Sequence, residues 1–241
     1  MLESSALKFT GHSMSSNYNS TPSKTSSKPK ADISQFEFVA LMALMTSLVA
    51  LSIDAVLPAL FQIGADLEIT DPRQTHLIVS LFFVGMAFGQ LYYGPLSDSK
   101  GRRYVIISGL IVFAIGSLVC IYAESLVVML IGRIIQAIGV SGPRIATLAV
   151  IRDKYEGEAM ARVMSFIMMV FILVPMLAPS FGQAILFWFS WQYIFSSFLI
   201  FGLVSGLWFF IRQPETLPKE KRLPFSWSQL WVSSKFILTN K

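Results

Sequence analysis

Three ionisable side chains stand inside stretches that are otherwise apolar: Asp54 in SIDAVLPAL, and Arg133 and Arg144 in GRIIQAIGVSGPRIATLAV. A charge near the centre of a bilayer costs about 2.5 to 3.5 kcal/mol on insertion scales, so such groups usually face a partner or a wet cavity. A carboxylate there can take and release a proton, and a guanidinium beside it can hold a negative charge. Gln136 stands three residues after Arg133, which places both on one helical face and makes a polar stripe. Counted along the chain at 1.5 Å per residue, Asp54 and Arg133 each lie about 10 Å below the same surface, so depth permits them to pair in one layer. Snorkelling to that surface is the alternative for Asp54 and Arg133. For Arg144, seven residues from the opposite end of its stretch, snorkelling and a site explain the residue equally well.

A second cluster runs Gly94, Pro95, Leu96, Ser97, Asp98, Ser99, Lys100, Gly101, Arg102, Arg103. It reads as a loop: Gly94 and Gly101 permit tight backbone geometry, and Asp98 can accept from the start of the next helix. The arginines can pair with carboxylates or helix C-termini on a neighbour. A third cluster combines Pro175 and Pro179, which break a helical ladder, with Ala178 and Gly182 four residues apart, a spacing that admits a close helix. That combination suits a bend or hinge. The spacings Gly85 with Gly89 and Gly202 with Gly206 need only close packing. The two histidines, His12 and His76, are far apart and Cys120 is alone, so no metal site, nucleophile with its base, or phosphate-cradling glycine loop is expected. The expectation is no cofactor and no enzyme.

These residues need elements to hold them, and composition says which solvent those elements meet. Of 241 residues 54% are hydrophobic and 14% charged, and the mean hydropathy is +0.62. That is more apolar surface than one water-soluble core can hide. Apolar runs over about 38–60, 76–96, 104–123, 126–151, 163–189 and 191–211 each meet the length needed to cross roughly 30 Å of hydrocarbon. The pattern predicts an all-α membrane protein of six spans. Sixteen of the nineteen Lys and Arg fall on one side of it, one (Arg73) on the other, and two inside. A multi-pass protein of the cytoplasmic (inner) membrane with both termini cytoplasmic follows. Basic residues scattered between apolar runs argue against nucleic acid as a partner. Residues 1–37, rich in Ser, Thr and Lys, read as a disordered cytoplasmic tail, and 212–241 as a cytoplasmic segment.

The motifs GPLSDSKGRRYV from Gly94, GRIIQAIGVSGPRIATLAVIRD from Gly132, EGEAMARVMSFIM from Glu156, LVPMLAPSFGQ from Leu173 and PETLPKEKR from Pro214 resemble the major facilitator superfamily. Within it they are similar to the drug/proton antiporters of the bicyclomycin and chloramphenicol resistance type. The resemblance covers about 38–222. It implies that residues 38–211 are one half, two inverted three-helix repeats, of a twelve-helix transporter, with 212–241 leading toward a C-terminal half. It implies a latch between halves at Gly94, Asp98, Gly101, Arg102 and Arg103. It implies proton coupling at Arg133 and Gln136, with Asp54 as the proton-binding group. The segment Pro175, Ala178, Pro179, Gly182 resembles the antiporter motif, with Ala178-Pro179 where a Gly-Pro pair is typical. The implied activity is efflux of small amphiphilic molecules, driven by a proton gradient across a lipid bilayer. Met168, Met169, Phe171 and Met176 suit a tolerant cavity and a lipid-facing surface equally. A truncated chain, a frameshifted gene and a partial sequence all fit, and a nontransporting six-span fragment that binds a partner half or lipid is the alternative reading.

Overall fold

The computed structural model describes residues 33–224. The expected N-terminal tail up to residue 32 and the expected linker beyond 224 lie outside the described residues. Six helical stretches are long and apolar enough to cross a membrane, as the apolar runs require.

The first span is broken. It consists of α1 (Gln35–Asp54), a 3-10 turn (Leu57–Ala59) and α2 (Leu60–Asp66), rather than one helix over 38–60. Pro58 explains the break: it has no N–H for the carbonyl of Asp54, and its ring crowds that carbonyl. The remaining spans are α3 (Leu77–Lys100), α4 (Arg102–Ile121), α5 (Leu126–Lys154), α6 (Gly157–Trp188) and α7 (Gln192–Arg212). Ser34 caps α1 by accepting from the N–H of Glu37 at 3.2 Å, and Ser125 caps α5 by accepting from that of Val128 at 3.4 Å. The segment read as a loop over 94–103 is helical up to Lys100, and one residue, Gly101, joins α3 to α4. Its φ of +102° is one that only glycine takes without strain. Pro95 is carried inside α3, and Pro175 and Pro179 inside an unbroken α6.

The helices pair in an exchanged pattern. The fourth span, α5, packs on α4 and α3, the third and second; the first, α1, packs on α7 and α6, the sixth and fifth. The pairs α1 with α5 and α4 with α7 complete it. Swapping spans one, two, three for four, five, six maps the set onto itself, as two repeats of three helices require.

Small residues set the spacing at each crossing. On the α4/α5 seam a Cβ on Gly116 would strike the main chain of Gln136, and one on Gly139 that of Phe113. Gly85 and Gly89 of α3 lie against the carbonyls of Ile134 and Ile138 on α5, and Gly182 of α6 against the carbonyl of Ala55. Contacts this close are the main source of helix cohesion in lipid, where apolar burial between helices gains little. Two fasteners tie the helix ends. Trp191, buried, donates its indole N–H to Asp66 at 2.8 Å, and on the opposite side Arg212 forks onto Glu37 at 2.6 and 2.7 Å. Large parts of α3 and α6 stay uncovered within the chain, including Phe88, Leu91, Met169, Ile172 and Met176.

Candidate functional site

Arg133 projects from α5 into the closed interior and is fully buried, which removes the snorkelling alternative. Its guanidinium donates to three acceptors: the side-chain oxygen of Gln136 at 2.6 Å, the carbonyl of Ser52 at 3.0 Å and the carbonyl of Ile78 at 3.1 Å. The ring of Phe82 lies 4.3 Å from the guanidinium carbon. A buried cation held this way has an acceptor for each of its three nitrogens and a π face beside it, the arrangement that makes such burial tolerable. The carbonyl of Ser52 is available because α1 ends two residues later, so the break at Pro58 supplies the acceptor. The C-terminal end of α1 also presents its negative dipole to the cation.

Gln136 links this group to the third span. Its amide N–H donates to the hydroxyl of Ser117 on α4 at 2.8 Å, and that hydroxyl donates to the carbonyl of Phe113 at 2.8 Å. The chain of donors fixes which end of the Gln136 amide meets Arg133. Ser117 carries no signal in the sequence that would select it, being one of many serines in apolar spans.

Asp54 does not pair with Arg133. It is the last residue of α1, half-buried, and makes no hydrogen bond or ion pair among the described residues. Arg133 reaches the same turn but takes the backbone carbonyl of Ser52 in place of the carboxylate. The depth estimate placed the two residues together; the helix break decided the partner. Around Asp54 the first and fifth spans cross closely, since Gly182 abuts the carbonyl of Ala55, and a Cβ there would lie 3.0 Å from Pro58. Pro58 and Pro179 both line an open cavity with Ser180, Gln183, Phe187 and Trp188. Ala178 is buried on this crossing. Arg144 stands apart: eleven residues, about 16 Å, along α5 from Arg133, half-exposed, with its guanidinium 5.7 Å from the ring of Phe171.

The second cluster forms a network where the basic residues gather. Arg102, almost fully covered, donates to Asp98 at 2.6 Å, to the hydroxyl of Ser97 at 3.1 Å and to Asp153 at the end of α5 at 3.1 Å. Arg103 donates to the carbonyl of Phe210 in the last turn of α7 at 2.8 Å. Asp98 therefore binds the Arg102 side chain; the N–H groups that open α4 go to a different acceptor. That acceptor is Glu215, whose carboxylate takes the backbone N–H of Arg102 at 3.0 Å and of Arg103 at 3.1 Å. It also takes the N–H groups of Thr216 and Leu217. A carboxylate at a helix N-terminus meets both unpaired donors and the positive end of the dipole. Thr216 adds a bond to Asp153 at 3.0 Å, and the N–H of Leu223 one to the carbonyl of Asp98 at 3.1 Å. Residues 213–223 are thus docked under α3, α4 and α5. Glu215 belongs to the PETL stretch, whose role the sequence reading missed because the two N–H groups of α4 that it caps are more than a hundred residues away. Gly94 differs from its neighbours. No atom lies within 4 Å of where its Cβ would be, and it borders a cavity of about 310 Å³ with Asp98, Arg102, Arg152 and Asp153.

Comparison with known proteins points the same way. Residues 42–240 match the model of the Major Facilitator Superfamily. The chain is 35% identical over 191 residues to a bicyclomycin resistance protein homolog of Haemophilus influenzae, an alignment covering 79% of this chain and 48% of that one. It is 32% identical to the uncharacterized MFS-type transporter YdgK of Bacillus subtilis (77% and 46%), and 35% identical to the multidrug resistance protein MdtL of Salmonella paratyphi A (69% and 42%). The chain thus spans about half the length of the curated relatives it matches. Among solved structures it resembles the human organic anion transporter MFSD10 with a TM-score of 0.61 at 21% identity, over 83% of this chain and 53% of that one, a likeness of fold.

Proposed function

This chain belongs to the major facilitator superfamily of membrane transporters, and from that premise we propose that it acts as one six-helix half of a proton-coupled exporter of small amphiphilic molecules. The observation that carries the reading is the break in span one. It leaves Asp54 without a hydrogen bond or ion pair among the described residues, while its own turn supplies the carbonyl that holds Arg133. Protonation of Asp54 and binding of a cationic or amphiphilic substrate would compete, which is the requirement for exchange. The Arg133–Gln136–Ser117 chain keeps the neighbouring helices rigid as this happens. The crossing of α1 with α6 at Gly182 is where the pair would move. Arg144, half-exposed near the basic end of the same helix, stands on the path a substrate would take from that side.

By the excess of Lys and Arg, the side bearing Gly101 and Glu215 is cytoplasmic in this reading, in an inner membrane. There Asp98, Arg102 and Arg103 brace α3, α4, α5 and α7, and the cavity above Gly94 is the seat for an element of a C-terminal six-helix half. The relatives that the chain half-covers are named for bicyclomycin resistance and multidrug resistance, which supports drugs or similar amphiphiles as cargo.

Everted vesicles from cells expressing the protein, acidified inside by respiration, test the proposal. Addition of a cationic amphiphile such as ethidium should release protons in proportion to the protein present. Asp54→Asn should abolish that release at unchanged expression; release identical to the parent removes Asp54 from the mechanism. A second reading, a six-span subunit that transports nothing by itself, is favoured by the uncovered faces of α3 and α6. It is distinguished by vesicles in which the parent chain gives no more release than the empty membrane.

A further inference from the structure

The third and sixth spans enclose an apolar trough. It is lined on α4 by Ile107, Ile111, Ala114 and Leu118 and on α7 by Leu203 and Leu207, and holds about 400 Å³. From Ile107 to Leu118 it runs eleven residues, about 16 Å. That is close to half the roughly 30 Å hydrocarbon core, the depth of a single leaflet. Ile111, Ile115, Leu203 and Leu207 stand exposed along it, so its sides are open to whatever surrounds the helices.

A partner helix is a poor occupant. Helices dock on small-residue spacings where the backbone is bare. Gly202 and Gly206 also border the trough, but the space beside each is taken from within the chain, since a Cβ on the first would lie 3.2 Å from the Phe113 ring and on the second 2.9 Å from Leu110. What remains is a narrow apolar channel suited to a flexible chain. Its end on the basic side closes on Phe210, and there the guanidinium of Arg103 lies 4.4 Å from the Phe210 ring centre. One nitrogen of that group is tied to the Phe210 carbonyl. The others make no bond among the described residues, and the side chain is half-exposed. Glu215, the nearby carboxylate, is occupied by four backbone N–H groups. Lys219 and Lys221 add exposed positive charge to the segment that follows α7.

We propose that this trough holds one acyl chain of an anionic phospholipid from the basic-side leaflet, with the lipid phosphate on Arg103. The length of the trough selects a single leaflet, its lining selects hydrocarbon, and the cation at its mouth selects the headgroup. Bound there, the lipid bridges α4 and α7, the pair that carries the third and sixth spans on the outer edge of the bundle.

Native mass spectrometry of the full 241-residue chain released from detergent tests this. The protein is equilibrated with equimolar phosphatidylglycerol and phosphatidylcholine of identical acyl chains. Phosphatidylglycerol should be retained in preference, and Arg103→Gln should reduce that preference about fivefold, the effect of one basic residue at an anionic surface. Arg103→Lys should restore most of it. Ala114→Leu, which fills the trough without touching the charge, should lower retention of both lipids. Equal retention of the two lipids by the parent overturns the proposal, as does an unchanged preference in Arg103→Gln. Loss of preference on adding inorganic phosphate, with Ala114→Leu binding both lipids like the parent, would show a headgroup contact without a chain site and also overturn it. So would a dimer mass that Ala114→Leu removes while lipid retention is absent, since the occupant would then be a second helix.

Discussion

Replacing Glu215 tests whether the segment after α7 is structural. In Glu215→Ala the first two N–H groups of α4 lose a charged acceptor and the turn at Thr216 and Leu217 loses its anchor. Loss of a helix N-cap costs about 0.5 to 2 kcal/mol, and a partly buried carboxylate at the dipole lies at the upper end of that range. The side chain is 27% exposed, so water replaces part of what is lost. The expected destabilisation is therefore about 1.5 kcal/mol. Glu215→Gln keeps an acceptor oxygen without the charge and should cost about half as much, since charge-assisted bonds are roughly twice as strong as neutral ones. Reversible unfolding of the purified protein in mixed micelles with rising SDS measures both. Hydrogen exchange adds a local readout: the amides of Arg102 and Arg103 should exchange faster in Glu215→Ala while those at the centre of α4 do not. A loss below about 0.5 kcal/mol with unchanged exchange would refute the capping role and make the docked segment incidental. Equal effects of the alanine and glutamine variants would refute the part assigned to charge.

Two further predictions concern the interior. Gln136→Leu should destabilise by about 3 kcal/mol, because the buried guanidinium loses its shortest acceptor, and adding Arg133→Met should recover part of that loss, a coupling of about 1 to 2 kcal/mol in a double-mutant cycle by SDS unfolding. Gly116→Ala should prevent stable folding, since its Cβ would enter the main chain of Gln136, whereas Gly94→Ala should unfold at the same SDS fraction as the parent; comparable losses in the two would refute the packing assigned to the α4/α5 seam.

The six spans were legible because length and hydropathy are one-dimensional quantities, and the sixth, read as 191–211 and observed as Gln192–Arg212, shows how well a run bounded by polar residues reports its ends. The break in the first span was not legible in the same way. Hydropathy is blind to the hydrogen-bond ladder, and Pro58 sits in an apolar run that scores as continuous. The opposite error occurred at 94–101, where Gly94 and Pro95 carry turn signals in water. There α3 continues through Pro95, a helix-interior proline of the kind that membrane-spanning helices tolerate. Arg133 and Gln136 were identifiable as a polar stripe, yet the cation's remaining partners are backbone carbonyls of Ser52 and Ile78, and every residue type has one. Glu215 was hidden by sequence distance. The Gly85, Gly89, Gly202 and Gly206 spacings, read as packing, are packing.

The exchanged pairing of the repeats bears on how the chain is made. Arg133 emerges from the ribosome on the fourth segment, while two of its acceptors, Ser52 and Ile78, belong to the first and second, already released into the bilayer by then. The early hairpin has its carbonyl at Ser52 unfilled and the glycines of α3 bare until that later arrival. The bonds that join spans one and two to Arg133 can therefore form only after the fourth span has been made.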